Sequence, residues 1–124
     1  MKFARTHKDL EVFQLSFSAA MEIFELTKSF PKEEKYSLTS QIRNSSRSVS
    51  ANIAEGFRKR RYVKAFVAKL SYSEAEAAES QVWLDYAFEC NYIDLATKEG
   101  LNKTYDRILG KIISMIDNSS QWSF

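Results

Sequence analysis

Residues 36–57 read YSLTSQIRNSSRSVSANIAEGF. Six serines, one threonine and two asparagines make this a mediocre helix by propensity, because such side chains compete for backbone hydrogen bonds and favour caps and turns. Val49, Ala51 and Ile53 even alternate as they would in a strand. Placed at about 100° per residue, however, the stretch sorts into three faces. Leu38, Ile42, Val49, Ile53 and Phe57 form an apolar face, with Ser46 and Gly56 beside them. Gln41, Asn44, Ser45, Ser48, Asn52 and Glu55 form an uncharged or acidic one. Arg43, Arg47, Ser50, Ala54, Arg58 and, if the helix continues, Arg61 form a stripe with four arginines. The stretch is therefore read as a helix, and the whole chain becomes helical.

Working outward, the segment before it runs as a helix from about residue 7 to 29 and stops at Phe30-Pro31, since the residue before a proline is pushed out of the helical region. Lys32-Glu33-Glu34 suits the start of the second helix, which spans about 33–59, because acids favour a helix N-terminus. A third helix is expected over about 62–90 and a fourth over about 95–118, separated by Asn91-Tyr92-Ile93-Asp94, with Asp94 as a cap. The tail Ser119–Phe124 follows, where Trp122 and Phe124 either dock on a neighbouring subunit or fray. Similar lengths and short connections predict one all-α domain over residues 1–124, an antiparallel up-down-up-down four-helix bundle.

Composition agrees. The chain has 124 residues, 44 % hydrophobic and 27 % charged, with only three Gly and one Pro, too few turn residues for a sandwich or barrel. No stretch approaches the ~18 apolar residues of a membrane span, and the start lacks the apolar region of a secretory signal. One cysteine, Cys90, excludes an internal disulfide framework, so a cytoplasmic protein is expected. His7 is the only histidine, which excludes a di-iron bundle site and a zinc site of several His or Cys ligands. Gly56, Gly100 and Gly110 are isolated, so no phosphate loop exists, and no Gly-x-Ser-x-Gly elbow is present. Glu74, Glu76 and Glu79 leave a carboxylate-only Mg²⁺ or Mn²⁺ site as an alternative, although 74 and 76 do not share a helix face. The expectation is a protein that is not an enzyme, without metal, cofactor or small-molecule substrate.

Charge is uneven. Residues 1–61 hold 12 Lys/Arg and 7 Asp/Glu, a net of +5, whereas residues 62–124 hold 6 and 9, a net of −3. The excess concentrates in Arg58-Lys59-Arg60-Arg61. Such asymmetry suits a polyanion or an acidic protein; the alternative is a solvated helix end. For the arginine stripe the two readings are phosphate contact, since guanidinium pairs bidentately with phosphate oxygens, and pairing with Asp or Glu across helices.

The first helix carries two apolar stripes. Leu10, Phe13, Phe17, Ala20, Met21 and Phe24 form one; Val12, Leu15, Ala19, Ile23 and Leu26 form another on the opposite side. A four-helix bundle buries one face of each helix, so the second stripe is expected at a subunit contact in a homo-oligomer. The alternative is a protomer core that surrounds this helix.

The sequence also resembles a known family. Phe30-Pro31-x-Glu33-Glu34-x-Tyr36-x-Leu38-x-x-Gln41-Ile42-Arg43, followed by Ser48-Val49-x-x-Asn52-Ile53-Ala54-Glu55-Gly56, closely resembles the "four helix bundle protein" family. That family includes the protein encoded in intervening sequences of bacterial 23S ribosomal RNA genes. Leu10-x-Val12-Phe13, Ala68-x-x-Ser71-x-x-Glu74-x-Glu76 and Tyr92-Ile93 fit the pattern too, and the likeness covers nearly the whole chain. Leu70 departs from it, standing where the family commonly has Gly. The resemblance implies an up-down bundle, a ring-like homopentamer and no catalytic motif. Its link to ribosomal RNA inserts, and its similarity to accessory proteins of diversity-generating retroelements, imply RNA, DNA or a nucleic-acid enzyme as partner. Those accessory proteins are strongly basic, whereas this chain carries +2. Gln41, Asn52, Ile53, Ala54, Glu55 and Gly56 carry family identity and are read as a close-packed structural turn of helix.

Two functional classes follow. In the first, a non-catalytic oligomer binds RNA or DNA through Arg43, Arg47, Arg58, Lys59, Arg60 and Arg61, gaining avidity from repeated weak contacts. In the second, the assembly is a protein-interaction scaffold that does not bind nucleic acid.

Overall fold

The computed structural model describes residues 4–124 and contains helices and turns, with no strand among the described residues. The long helices are α1 (Glu11–Thr27), α2 (Leu38–Arg58), α3 (Val63–Glu89) and α4 (Leu95–Asp117); a short α5 (Ser119–Trp122) closes the tail. None of them is long and apolar enough to cross a membrane. α2 packs on α1 and α3, and α4 packs on α1 and α3, with no close backbone approach between the diagonal pairs. The four helices thus enclose one core, filled by residues such as Ile23, Ile53, Phe66, Leu70, Tyr105 and Ile112.

The serine-rich helix is central to this arrangement. Ser73 Oγ of α3 donates to the Val49 carbonyl of α2 at 2.7 Å, and the Ser45 and Ser80 hydroxyls share a hydrogen bond of 2.8 Å. All three serines are buried, so each hydroxyl needs the partner it has. A Cβ at Gly56 would lie 3.2 Å from Lys69 Cβ and 3.6 Å from the Phe66 carbonyl oxygen. Residues 45, 49 and 56 on α2 therefore meet progressively lower numbers on α3, and the two helices run in opposite directions. Leu70 is fully buried against this seam, filling the space beside Gly56. On the next pair, Gln81 donates to the Asn102 carbonyl at 3.3 Å and to Asp106 at 2.9 Å, and Lys98 meets Asp85 at 3.5 Å.

Helix ends follow local chemistry. The first predicted helix is divided: His7–Asp9 form a 3-10 turn, extended Leu10 breaks it, and α1 begins at Glu11. The second helix begins later than residue 33. Lys32–Glu34 form a separate 3-10 turn, and Glu34 then caps α2, its carboxylate accepting from the Ser37 hydroxyl at 2.6 Å and the Leu38 N–H at 3.3 Å. Between α3 and α4, Asn91 takes a left-handed conformation (φ 63°). Its N–H bonds the Phe88 carbonyl and the Tyr92 N–H bonds that of Ala87, which is a Schellman ending with Asn in place of the usual Gly. Asp94 caps α4 by accepting from the Thr97 N–H at 2.8 Å.

The orientation of α1 corrects the sequence reading. Val12, Ala19 and Ile23 are buried in the protomer core, and Leu15 and Leu26 are half-buried against it. The stripe expected at a subunit contact is therefore the inward one. Its line also holds Ser16 and Thr27, both buried; small and β-branched side chains let α1 approach its neighbours closely. The other stripe is divided: Leu10 and Ala20 are buried as well, Phe13 and Phe24 are half-buried, and Phe17 and Met21 stay outside, 53 % and 46 % exposed. On α3, Tyr72, Val82 and Tyr86 are also exposed.

One polar contact ties the two turns at the same end of the bundle. Tyr92 Oη donates to Glu34 at 2.8 Å. The Ser37 hydroxyl, then Tyr92 and the Leu38 N–H, hold the Glu34 carboxyl below its ordinary value, while the bond to Glu34 pushes Tyr92 up to about 12. A depressed carboxyl contributes stability above its unfolded value and loses it as pH falls through the folded one; the raised phenol contributes fully below its ordinary value and loses it as pH climbs toward about 12. Tyr92→Phe is expected to lower the melting temperature at neutral pH, with the gap to the wild type narrowing in acid as Glu34 protonates. A gap independent of pH between neutral and strongly acidic solution would show that the pair is not coupled.

Candidate nucleic-acid interface

Arg43, Arg47 and Arg58 lie along one line of α2, over about 22 Å at ~1.5 Å per residue. Arg43 is half-buried. Its Nε donates to Thr27 Oγ1 at 2.7 Å and its guanidinium sits 4.7 Å from the Phe24 ring centre. Arg47 is exposed and lies 5.6 Å from the same ring. Phe24 of the outer α1 stripe is thus the platform for both arginines.

The basic run occupies a turn. α2 ends at Arg58, and the Tyr62 N–H closes back on the Lys59 carbonyl at 2.9 Å before α3 begins. The helix does not continue to Arg61, so Arg61 joins the site through this turn and not along the stripe. Arg60 folds over the helix end: its Nε donates to the Phe57 carbonyl at 2.8 Å, and its guanidinium lies 3.6 Å from the Phe57 ring centre. The Phe124 ring is 5.1 Å from Arg60 and 5.5 Å from Arg61. Burial, and then the positive charge of Arg58, lower the Arg60 guanidinium from its ordinary value. Phe57, Arg58, Arg60, Arg61, Tyr62 and Phe124 surround an open cavity of about 290 Å³ with no acidic residue in its lining.

None of the six cations of the sequence reading has a carboxylate partner among the described residues; the ion pairs lie elsewhere, at Lys69–Glu55, Lys98–Asp85, Lys28–Glu25, and Arg107 and Lys111 with Glu11. Arg43, Arg47, Arg60 and Arg61 meet aromatic rings instead, and a cation on a ring face keeps N–H donors for another acceptor.

The likeness to known proteins covers nearly the whole of this scaffold. Residues 8–114 match the model of the 23S rRNA-intervening sequence protein family. The chain belongs to that family. A crystal structure of a protein of unknown function from the S23 ribosomal protein family of Bacteroides thetaiotaomicron is similar to it, with 29 % identity over 86 % of this chain and 95 % of that one, and a TM-score of 0.76. No curated protein matches the chain.

The family block is a packing device here. Ile53 is fully buried and Gly56 admits α3 closely. Ala54 is half-buried, Asn52 donates to the Ser48 carbonyl at 2.8 Å, and Glu55 pairs with Lys69 at 3.4 Å. Gln41 is exposed near the opposite end of α2, beside Trp83, Tyr86 and Cys90. The block sets the position of α2 on α3 and hence of the basic turn that follows. The sequence reading missed Phe24, Phe57, Tyr62 and Phe124 as partners of the arginines. Phe57 and Tyr62 flank the basic run in sequence and were findable from it; Phe24 and Phe124 arrive only by tertiary packing. Trp122 packs on the core of its own protomer, 6.5 Å from Phe66 between ring centres.

The arginines of α2 are unequal, and this is measurable. Arg43→Ala is expected to destabilise the fold by about 1–2 kcal/mol, through loss of a charged hydrogen bond and a ring contact, whereas Arg47→Ala stays within about 0.5 kcal/mol of the wild type. Denaturant melts of both variants check this; equal effects would remove the distinction.

Proposed function

We propose that the protein is a non-catalytic, oligomeric helical-bundle protein that binds structured RNA or DNA through the Arg43-to-Arg61 flank of α2. The protomer in this reading is an up-down-up-down bundle acting in the cytoplasm, with no cofactor or small-molecule substrate. The observation that carries it is a line of cations without carboxylate partners, interleaved with aromatic rings and ending in an open basic cavity. Membership of a family named for 23S rRNA intervening sequences supports RNA as the ligand. Repetition of the flank in a homo-oligomer, a homopentamer by the family resemblance, multiplies weak phosphate contacts into useful avidity. The contact between copies is assigned to the outer line of α1, where Phe17 and Met21 are exposed and would gain by leaving water. A second reading is a scaffold for a protein partner, favoured by the exposed Tyr72, Val82 and Tyr86 on α3; it expects little affinity for free nucleic acid.

Fluorescence anisotropy of a labelled RNA hairpin across a salt series tests the main reading. The affinity is expected to fall linearly in log–log salt with a slope of several units, and Arg58→Ala with Arg61→Ala should weaken binding and flatten that slope. No binding even at low salt would transfer the case to the scaffold. For the assembly, Phe17→Glu with Met21→Glu should give smaller, still helical particles by light scattering. Ile23→Ala should instead cost about 2–5 kcal/mol of folding stability, because it opens a core cavity. An unaltered mass in the first variant would take α1 out of the contact.

A further inference from the structure

We infer that the cavity at the end of α2 holds one unstacked nucleotide of the bound nucleic acid, its base against the Tyr62 and Phe124 rings and its phosphate on Arg58 and Arg61. This rests on the nucleic-acid reading above and adds to it a subsite with its own chemistry.

The division of labour among the lining residues carries the argument. Phe57 is buried beneath Arg60, and Arg60 is committed: its guanidinium lies 3.6 Å from the Phe57 ring centre and 5.1 Å from that of Phe124, and its Nε is bonded to the Phe57 carbonyl. Arg60 is therefore the floor of the cavity. Arg58 and Arg61 are exposed, and neither meets a carboxylate among the described residues. Tyr62 is 65 % and Phe124 71 % exposed. Two large rings left in water beside free guanidinium groups form a surface that suits a flat, π-rich, anionic ligand. The volume of about 290 Å³ is at the lower limit for an organic ligand, which fits a single base and not a longer stacked run.

A phosphotyrosyl peptide also joins a ring to a phosphate. The wider surface favours the nucleotide. Arg47 and Arg43 continue the positive line away from the cavity over about 22 Å, which matches a repeating phosphate backbone and has no use for a ligand with one phosphate. A base inside a duplex presents no free face, so the nucleotide must come from a loop, a bulge or a single-stranded end. The subsite thus selects RNA with unpaired bases next to a stem, while the flank of α2 follows the backbone.

Two labelled RNA hairpins test this, identical except that the short single-stranded tail of one carries bases and that of the other is abasic. Their phosphate charge is the same. The base-bearing hairpin is expected to bind roughly ten-fold more tightly or better, since stacking of one base on an aromatic side chain is of that order. Tyr62→Ala and Phe124→Ala should erase most of the difference without changing the salt slope, and Tyr62→Phe should keep it. Tyr62 and Phe124 are exposed, so the variants are expected to stay folded, as circular dichroism would verify. Equal affinity of the wild type for the two hairpins, with a normal salt slope, would overturn the base subsite and leave the phosphate reading standing. A base preference that survives both alanine variants would place the base elsewhere and overturn the assignment. Failure of both hairpins to bind at low salt would overturn the subsite and the nucleic-acid reading together. Displacement of the hairpin by phosphotyrosine, at concentrations where uridine monophosphate leaves it bound, would give the cavity to a phosphopeptide.

Discussion

The close approach of α2 to α3 is the constraint on which the rest of the structure depends. α2 is poor in helix formers and rich in serine, and it persists because its small side chains suit a narrow seam. Ser45 with Ser80, Ser73 with the Val49 carbonyl, and Gly56 beside Lys69 and Phe66 bring the two backbones together along much of their length. The buried hydroxyls of Ser45, Ser73 and Ser80 are each satisfied, so the polarity that lowers propensity is not a burden along this seam. Tertiary packing decides the conformation here, as it does for most helices that would be marginal alone. The seam also fixes where α2 stops. Phe57 is buried at its end, and the turn to α3 must leave the bundle there, carrying Arg58 to Arg61 outward.

How much of this the sequence discloses depends on the kind of information. Helix periodicity shows four long helices, and Asp94 is legible as a cap because side chain, spacing and following apolar pattern agree. The inner face of α2 is legible too: Leu38, Ile42, Val49, Ile53 and Phe57 are all buried. The orientation of α1 is not legible. Both of its stripes are apolar, and a wheel counts hydrophobicity without size; the structure buries the compact Val12, Ser16, Ala19 and Ile23 along with Leu10 and Ala20 of the other stripe, and leaves the bulky Phe17 and Met21 outside. The start of α2 is also hidden, since acids at residues 33 and 34 read as a first turn, whereas Glu34 works from outside as the cap. At the candidate site, the cations are visible in sequence, but the contacts of Arg43 with Phe24 and Arg60 with Phe124 join residues far apart in the chain.

The modest net charge of +2 conceals a segregation that the fold maintains. In the second half of the chain, four of the six cations meet a carboxylate: Lys69 with Glu55, Lys98 with Asp85, and Arg107 and Lys111 with Glu11. Exposed pairs of this kind add little stability, yet each offsets a positive charge where it stands. Beside Arg43, Arg47, Arg60 and Arg61 aromatic rings stand where carboxylates would pair elsewhere, and a ring accepts a cation without cancelling its charge. Arg43 and Arg60 are held as parts of the scaffold, while Arg47, Arg58 and Arg61 are exposed. A weakly basic chain thereby presents one concentrated positive flank. Such a field is short-ranged at physiological salt, where the Debye length is about 8 Å, so it acts on a ligand already at the surface. Contacts of this reach would gain most if copies of the chain stood side by side, which makes the proposed assembly and the strength of the basic flank a single physical question.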